Sequence, residues 1–167
     1  PPCSVRDDLQ RRDQTSSTVC HLGATGAAKT IALFGDSHAQ MWMPTILRMA
    51  RRDGWQVVPF VKVGCVPTKW LHTKDWGCTV WYQWALGRAA QLHPQVTLIA
   101  ASWADDPHPT TAVHAVSAMI GRAKRFSAST IVIGDSPHQH RMPADCLLSS
   151  GATMRTCAAK ASLSELQ

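Results

Sequence analysis

A serine hydroxyl set beside unpaired backbone amides is what nucleophilic acyl chemistry requires, and residues 31–38 are written to supply it. Ile31-Ala32-Leu33-Phe34 is a short apolar run that stops at Gly35-Asp36-Ser37, and His38-Ala39-Gln40-Met41-Trp42 then reads as the start of a helix. A serine on a strand-to-helix turn can present its hydroxyl at the sheet edge, and the first amides of the helix can hold an anion beside it. Ser37 is therefore the candidate nucleophile; the alternative is that it only caps the helix. Gly-Asp-Ser recurs at Gly134-Asp135-Ser136, but Pro137 follows. A proline pushes the residue before it out of helical geometry, so Ser136 lacks the amides that Ser37 has.

Other residues have narrower claims. His38 adjoins the nucleophile in sequence, so its side chain leaves the turn in another direction; it reads as a structural or substrate contact rather than the base. Asp36 is expected to bond turn amides. His108, His138 and His140 imitate a metal site but have no patterned carboxylate or cysteine partner, and no metal is expected. Seven tryptophans suit sugar stacking or core packing; Trp70 and Trp76, between Cys65 and Cys78, are the candidate sugar platform.

Four apolar runs must position these groups: Thr30 to Phe34, Gln56 to Val61, Gln95 to Ala101 and Thr130 to Ile133. Continuous rather than alternating hydrophobicity predicts parallel strands covered on both faces. Helical patterns lie between them. Trp42, Ile46, Met49 and Ala50 predict one buried helix face, ended by Gly54, with Pro44 either in the first turn or at a kink. Trp81, Trp84, Ala85, Arg88 and Leu92 predict a second helix ended by Pro94. Val113, Val116, Ile120 and Ala123 predict a third. Strand and helix alternate, so the expected fold is an α/β three-layer sandwich with a parallel sheet, its binding edge at the strands' carboxyl ends. Residues 1–29 read as an N-terminal extension, 30–134 as the core, and 135–167 as a Pro/His/Cys loop with a C-terminal helix over 158–166. No fifth strand pattern follows, so the fold reads as stopping before its last strand.

The chain has 167 residues, 45% of them hydrophobic and 17% charged, which fits one globular domain with a sizeable core. It opens on Pro1-Pro2-Cys3 with no signal-peptide pattern and reads as a mature or excised piece. No apolar stretch approaches the roughly 18 residues that span a bilayer. The formal charge is +6, but the basic residues are scattered with no stripe interleaved with aromatics, so no nucleic-acid partner is expected. An anionic envelope or membrane surface suits this charge at least as well. Six cysteines permit many pairings; spacing favours Cys3–Cys20, Cys65–Cys78 and Cys146–Cys157. None forms a CxxC unit, and the even count favours disulfides in an oxidising compartment over free thiols.

Gly35-Asp36-Ser37-His38-Ala39 resembles the first block of the SGNH hydrolases. The wider pattern is most similar to the SGNH domains fused to membrane acyltransferase-3 proteins. It comprises a cysteine couple before the first strand, Val63-Gly64-Cys65-Val66-Pro67, Cys78-Thr79-Val80-Trp81, Ala101-Ser102-Trp103 and a Pro-Cys-rich loop after Asp135. The resemblance implies an SGNH/flavodoxin-like fold, Ser37 as nucleophile, and the Ser37 and Gly64 amides as oxyanion donors. Gly64 also reads as a turn glycine before a bridge. Two departures stand out. The family's third block carries an asparagine donor, and this sequence contains no asparagine; Ser102 or the indole of Trp103 would substitute, or Trp103 packs over the sheet edge. The family's Asp-x-x-His block has no counterpart in position: Asp105–His108 and Asp135–His138 have the spacing but follow earlier strands, so the block is expected beyond Gln167.

The resemblance implies an extracytoplasmic serine-dependent O-acyltransferase without cofactors. An acyl donor would be delivered by an upstream membrane acyltransferase domain, and the acceptor would be a glycan of the bacterial cell envelope. A secreted carbohydrate esterase and an inactive glycan-binding module are the alternatives.

Overall fold

The computed structural model describes residues 19–71, 76–102, 109–134 and 143–158. In chain order the elements are β1 (Leu22–Gly23), β2 (Lys29–Gly35), α1 (Ser37–Asp53), β3 (Trp55–Val61), α2 (Pro67–Trp70), α3 (Trp76–Leu92), β4 (Val96–Ala100), α4 (Pro109–Ala123), β5 (Ser129–Ile133), α5 (Pro143–Leu147) and α6 (Met154–Cys157). The sheet order is β1-β3-β2-β4-β5. β2 pairs in parallel with both β3 and β4, β4 in parallel with β5, and β1 antiparallel with β3. β3 lies on one side of β2 and β4 on the other, so the chain reverses its winding direction there. In open α/β sheets that reversal opens a crevice at the strands' carboxyl ends.

The four predicted strands are present, and both sheet faces are covered. Leu33, Val57, Val61 and Ala100 meet Ala39, Met43, Ile46 and Ala50 of α1 on one face. Ala32, Phe34, Val58, Phe60 and Ile99 meet Trp70, Trp81, Tyr82, Ala85, Leu86, Ala115 and Met119 from α2, α3 and α4 on the other. Alternate residues of β2 and β3 thus serve opposite layers, which is why those strands read as unbroken apolar runs. β5 departs from this: Ile131 and Val132 are exposed, so the expectation of burial fails for the sheet's outermost strand.

The helix faces also shift. α1 buries Ala39, Met43, Ile46 and Ala50 while Trp42 and Met49 stay exposed, and α4 buries Ala112, Ala115, Met119 and Ala123 while Val113 stands out. In α1, Ala39 and Ala50 bring the two ends of the buried stripe close to the sheet, while Met43 and Ile46 fill the space between them. α1 begins at Ser37, so Pro44 lies in the helix interior on the solvent side and leaves the Gln40 carbonyl without its usual amide donor. Gly54 closes α1 in the left-handed conformation, its amide donating to the Ala50 carbonyl. β1 lies within the expected N-terminal extension yet joins the sheet; two residues carry no readable period. Residues 143–158 form two short helices where a loop was expected, and the C-terminal helix expected over 158–166 falls almost wholly outside the described residues.

Gly35 governs the packing at the carboxyl edge. Its φ is +151°, and a Cβ there would fall 1.6 Å from the Ala100 carbonyl oxygen and 2.8 Å from Ala39 Cβ. Only glycine lets β2, β4 and α1 converge there. Gly35→Ala is expected to cost more than about 4 kcal/mol, seen as a melting point lower by about 10 °C or more; a fall under about 3 °C would refute this.

Buried Tyr82 tests the opposite layer. It stacks on Trp70, with ring centroids 5.2 Å apart, and donates its hydroxyl to Met119 Sδ at 3.2 Å. Burial pushes its ionisation up from 10.0 to about 12, with Arg122 opposing. The folded state thus holds this proton where the unfolded chain releases it. The associated stability is intact below about pH 10 and is lost as pH rises through about 12. Thermal melts should show a steeper fall between those values in the native protein than in Tyr82→Phe; parallel curves would contradict the assignment.

Candidate active site

The carboxyl ends of β2, β3 and β4 converge through the register. Gly35 pairs with Val61 on one side and Ala100 on the other. The chain leaving β2 reaches Ser37 in two residues, that leaving β4 reaches Ser102 in two, and that leaving β3 reaches Gly64 in three. The Lys62 amide donates to the Gly35 carbonyl at 2.9 Å, so β3's exit stays against β2.

Asp36 organises this edge. Its side chain is 1% exposed. Oδ1 accepts the His38 amide at 2.8 Å and Oδ2 accepts the Ser102 amide at 2.9 Å. The first bond makes Asp36, not Ser37, the N-cap of α1. The reading of Ser37 as a cap is thereby replaced: it is the first helical residue, half-buried, and its amide has no acceptor within the helix. The second bond ties the chain after β4 to the turn after β2.

Gly64 is exposed with φ +77°, the third residue of a turn closed by the Cys65 amide on the Lys62 carbonyl at 3.1 Å. That φ is what a type II turn requires at this position. The segment after it is laced tightly. Cys65 and Cys78 are bridged, Lys62 Nζ donates to the Gly77 carbonyl, and Lys69 Nζ donates to the Gly64 carbonyl. Trp70 Nε1 donates to the Cys65 carbonyl at 2.8 Å. Trp70 is only 1% exposed, so it is a core residue holding this loop and not the sugar platform expected. The lysines' part had no signature in sequence, because each ties to a backbone carbonyl that any residue supplies.

Ser102 lies at the β4 exit as predicted, but its amide is spent on Asp36. Its hydroxyl, on a residue 6% exposed, has no hydrogen-bond partner among the described residues. His38 is half-buried on the first turn of α1. His21, bonded to Gln56 at the start of β3, and His93, just before β4, lie toward the opposite edge, so neither reaches Ser37. Trp103, Asp105, His108, Asp135, Ser136, His138 and His140 lie outside the described residues. No group of three or more His, Cys, Asp or Glu able to hold a metal occurs among the described residues.

Cys146 and Cys157 are bridged, joining α5 to α6. Cys20 is also disulfide-bonded and buried; Cys3, its expected partner, lies outside the described residues. Such bridges are compatible with an extracytoplasmic location. Among the described residues, no helix is long and apolar enough to cross a membrane.

The chain belongs to the family described as the SGNH domain fused to AT3 domains, whose model matches residues 2–167. Membership brings the α/β fold of the SGNH hydrolases and an association with an acyltransferase membrane domain. No curated protein and no solved structure matches the chain.

Asp36→Ala leaves the buried Ser102 amide and the half-buried His38 amide without these acceptors. It should cost about 3 kcal/mol in urea unfolding, and Asp36→Asn, which keeps one acceptor oxygen, about half of that. A loss under about 1 kcal/mol for the alanine variant would contradict this organising role.

Proposed function

We propose that this chain passes an ester-linked acyl group through Ser37 to a glycan hydroxyl of the cell envelope. The observation that carries the reading is the pair of bonds from Asp36. They leave Ser37 at the amino end of α1, with the Gly64 turn leaving the neighbouring strand.

Ser37 Oγ attacks the acyl carbonyl of a donor ester, losing its proton to an imidazole as the tetrahedral oxyanion forms. The Ser37 and Gly64 amides are the donors for that oxyanion, each worth about 3 kcal/mol in preorganised sites. The Ser102 hydroxyl stands in for the missing asparagine, because it is a buried polar group at this edge without a hydrogen-bond partner among the described residues. Collapse breaks the bond to the donor's oxygen, which leaves with the proton; a sugar hydroxyl then gives its proton to the same imidazole as it attacks the acyl group, and Ser37 Oγ takes that proton as its bond to the acyl group breaks. The imidazole belongs to an Asp-x-x-His block; Asp105–His108 and Asp135–His138 have that spacing but lie outside the described residues. His38 and Trp103 are assigned to the substrate. The donor comes from the acyltransferase domain with which the family associates this one. The disulfides and that association together support placement outside the cytoplasm, tethered to a membrane.

The protein in its native polypeptide, treated with a fluorophosphonate probe, should carry the label on Ser37 by peptide mass spectrometry. Ser37→Ala should lower both p-nitrophenyl acetate hydrolysis and acyl transfer to envelope glycan at least about a thousandfold. Retained transfer in Ser37→Ala would overturn the reading. Hydrolysis without any glycan acylation would make the protein an esterase.

A further inference from the structure

Helix α1 has a second face that the sheet does not use. Its inner stripe of Ala39, Met43, Ile46 and Ala50 is buried. Turned outward are Met41 at 70% exposed, Met49 at 52% and Trp42 at 43%, together with exposed Arg48, Arg51 and Arg52. At about 100° per residue, Met41, Arg48 and Arg52 lie opposite the buried stripe, and Trp42 and Met49 form a row two turns long on its flank. A single exposed apolar side chain is ordinary. Here an indole and two thioethers share 17 residues of helix with three arginines and one acid, Asp53, which is bonded to Arg52 at 2.7 Å on the surface.

We propose that this outer face rests on an anionic lipid surface. Arg48 and Arg52 meet the headgroup phosphates and the long Arg51 side chain reaches them from the other flank, while Met41, Trp42 and Met49 enter the interfacial zone. The charge is complementary: three cations against one acid on the helix, in a chain of formal charge +6. Mixed Arg and Trp with unbranched apolar side chains is the composition of helices that lie in a membrane interface. The family's association with a membrane domain keeps such a surface within reach. Docking also has a consequence for the site. Met41 is one turn, about 6 Å along the axis, from Ser37. If Ser37 is the nucleophile proposed above, its edge then meets acyl donors at the lipid–water boundary; the docking itself does not depend on that reading.

Vesicle co-sedimentation tests this without reference to acyl chemistry. The chain should bind phosphatidylcholine vesicles containing 30% phosphatidylglycerol at about 50 mM salt, release at about 500 mM, and ignore pure phosphatidylcholine. Arg48→Gln alone should weaken partitioning about fivefold, and Arg48→Gln/Arg51→Gln/Arg52→Gln at least tenfold. Removing the same charge from the opposite layer, by Arg88→Gln/Lys124→Gln/Arg125→Gln, should change it less than twofold. Brominated lipid should quench tryptophan emission in the native chain and lose most of that effect in Trp42→Phe. Equal losses from the two triple variants would mean that net charge alone drives binding and would overturn the proposal. So would the absence of binding to anionic vesicles, or quenching that survives Trp42→Phe. Circular dichroism of each variant separates lost binding from lost folding, and the single arginine variant decides the matter if a triple variant unfolds.

Discussion

The convergence of three strand exits on one glycine and one buried carboxylate is the constraint on which this structure's candidate chemistry depends. At Gly35 the backbones of β2 and β4 and the first turn of α1 come too close for any Cβ. One residue later, Asp36 turns inward and uses one oxygen on α1 and the other on the chain leaving β4. Burying a carboxylate is costly unless its oxygens are bonded, and here both are. The same two bonds that offset that cost orient the turn carrying Ser37. Stability and site geometry therefore share atoms.

The opposite edge is tied in a comparable way by Gln95. Its side-chain oxygen accepts the Thr30 amide, its own amide donates to the Thr30 carbonyl, and its carbonyl accepts the Ser129 amide. β2, β4 and β5 are thus joined at their starts by one residue, and β2 and β4 at their ends by another. Between these ties the strands hold register, so a small displacement at the carboxyl edge has no slack to absorb it. The Gly64 turn is fixed separately, by the Cys65–Cys78 bridge and by lysine bonds to backbone carbonyls. Preorganised donors act without reorganising during reaction, and this lacing is what such donors require.

The two layers outside the sheet differ in character. The layer of α2, α3 and α4 carries the aromatic core, with Trp70 stacked on Tyr82 and Phe34 stacked on Phe60. The other layer is α1, which packs mostly through small and unbranched side chains and turns its bulk outward. An asymmetric sandwich of this kind is stabilised on one side and left free on the other to present a surface.

Much of the architecture was legible from residues alone. The unbroken apolar runs of β2, β3 and β4 pointed to a parallel sheet with two covering layers, and Gly-Asp-Ser before a helix marked the turn that bears Ser37; the same kind of run in β5 misled, because an outermost strand has no neighbour on one side and stays exposed. Strand starts and ends fell within one or two residues, since Gly35, Gly54 and Pro94 punctuate the chain locally. Helix orientation was legible in part: Ile46, Ala50, Trp81, Ala85 and Ala123 are buried as read, but Trp42, Met49 and Val113 looked like core residues because hydrophobicity says what prefers burial, whereas packing distance decides what fits. Trp70 likewise gave no sign that its indole would be spent on the Cys65 carbonyl. The division of Asp36 between two amides 2 and 66 residues away belongs to tertiary structure alone, because no local pattern specifies which strand will lie beside β2.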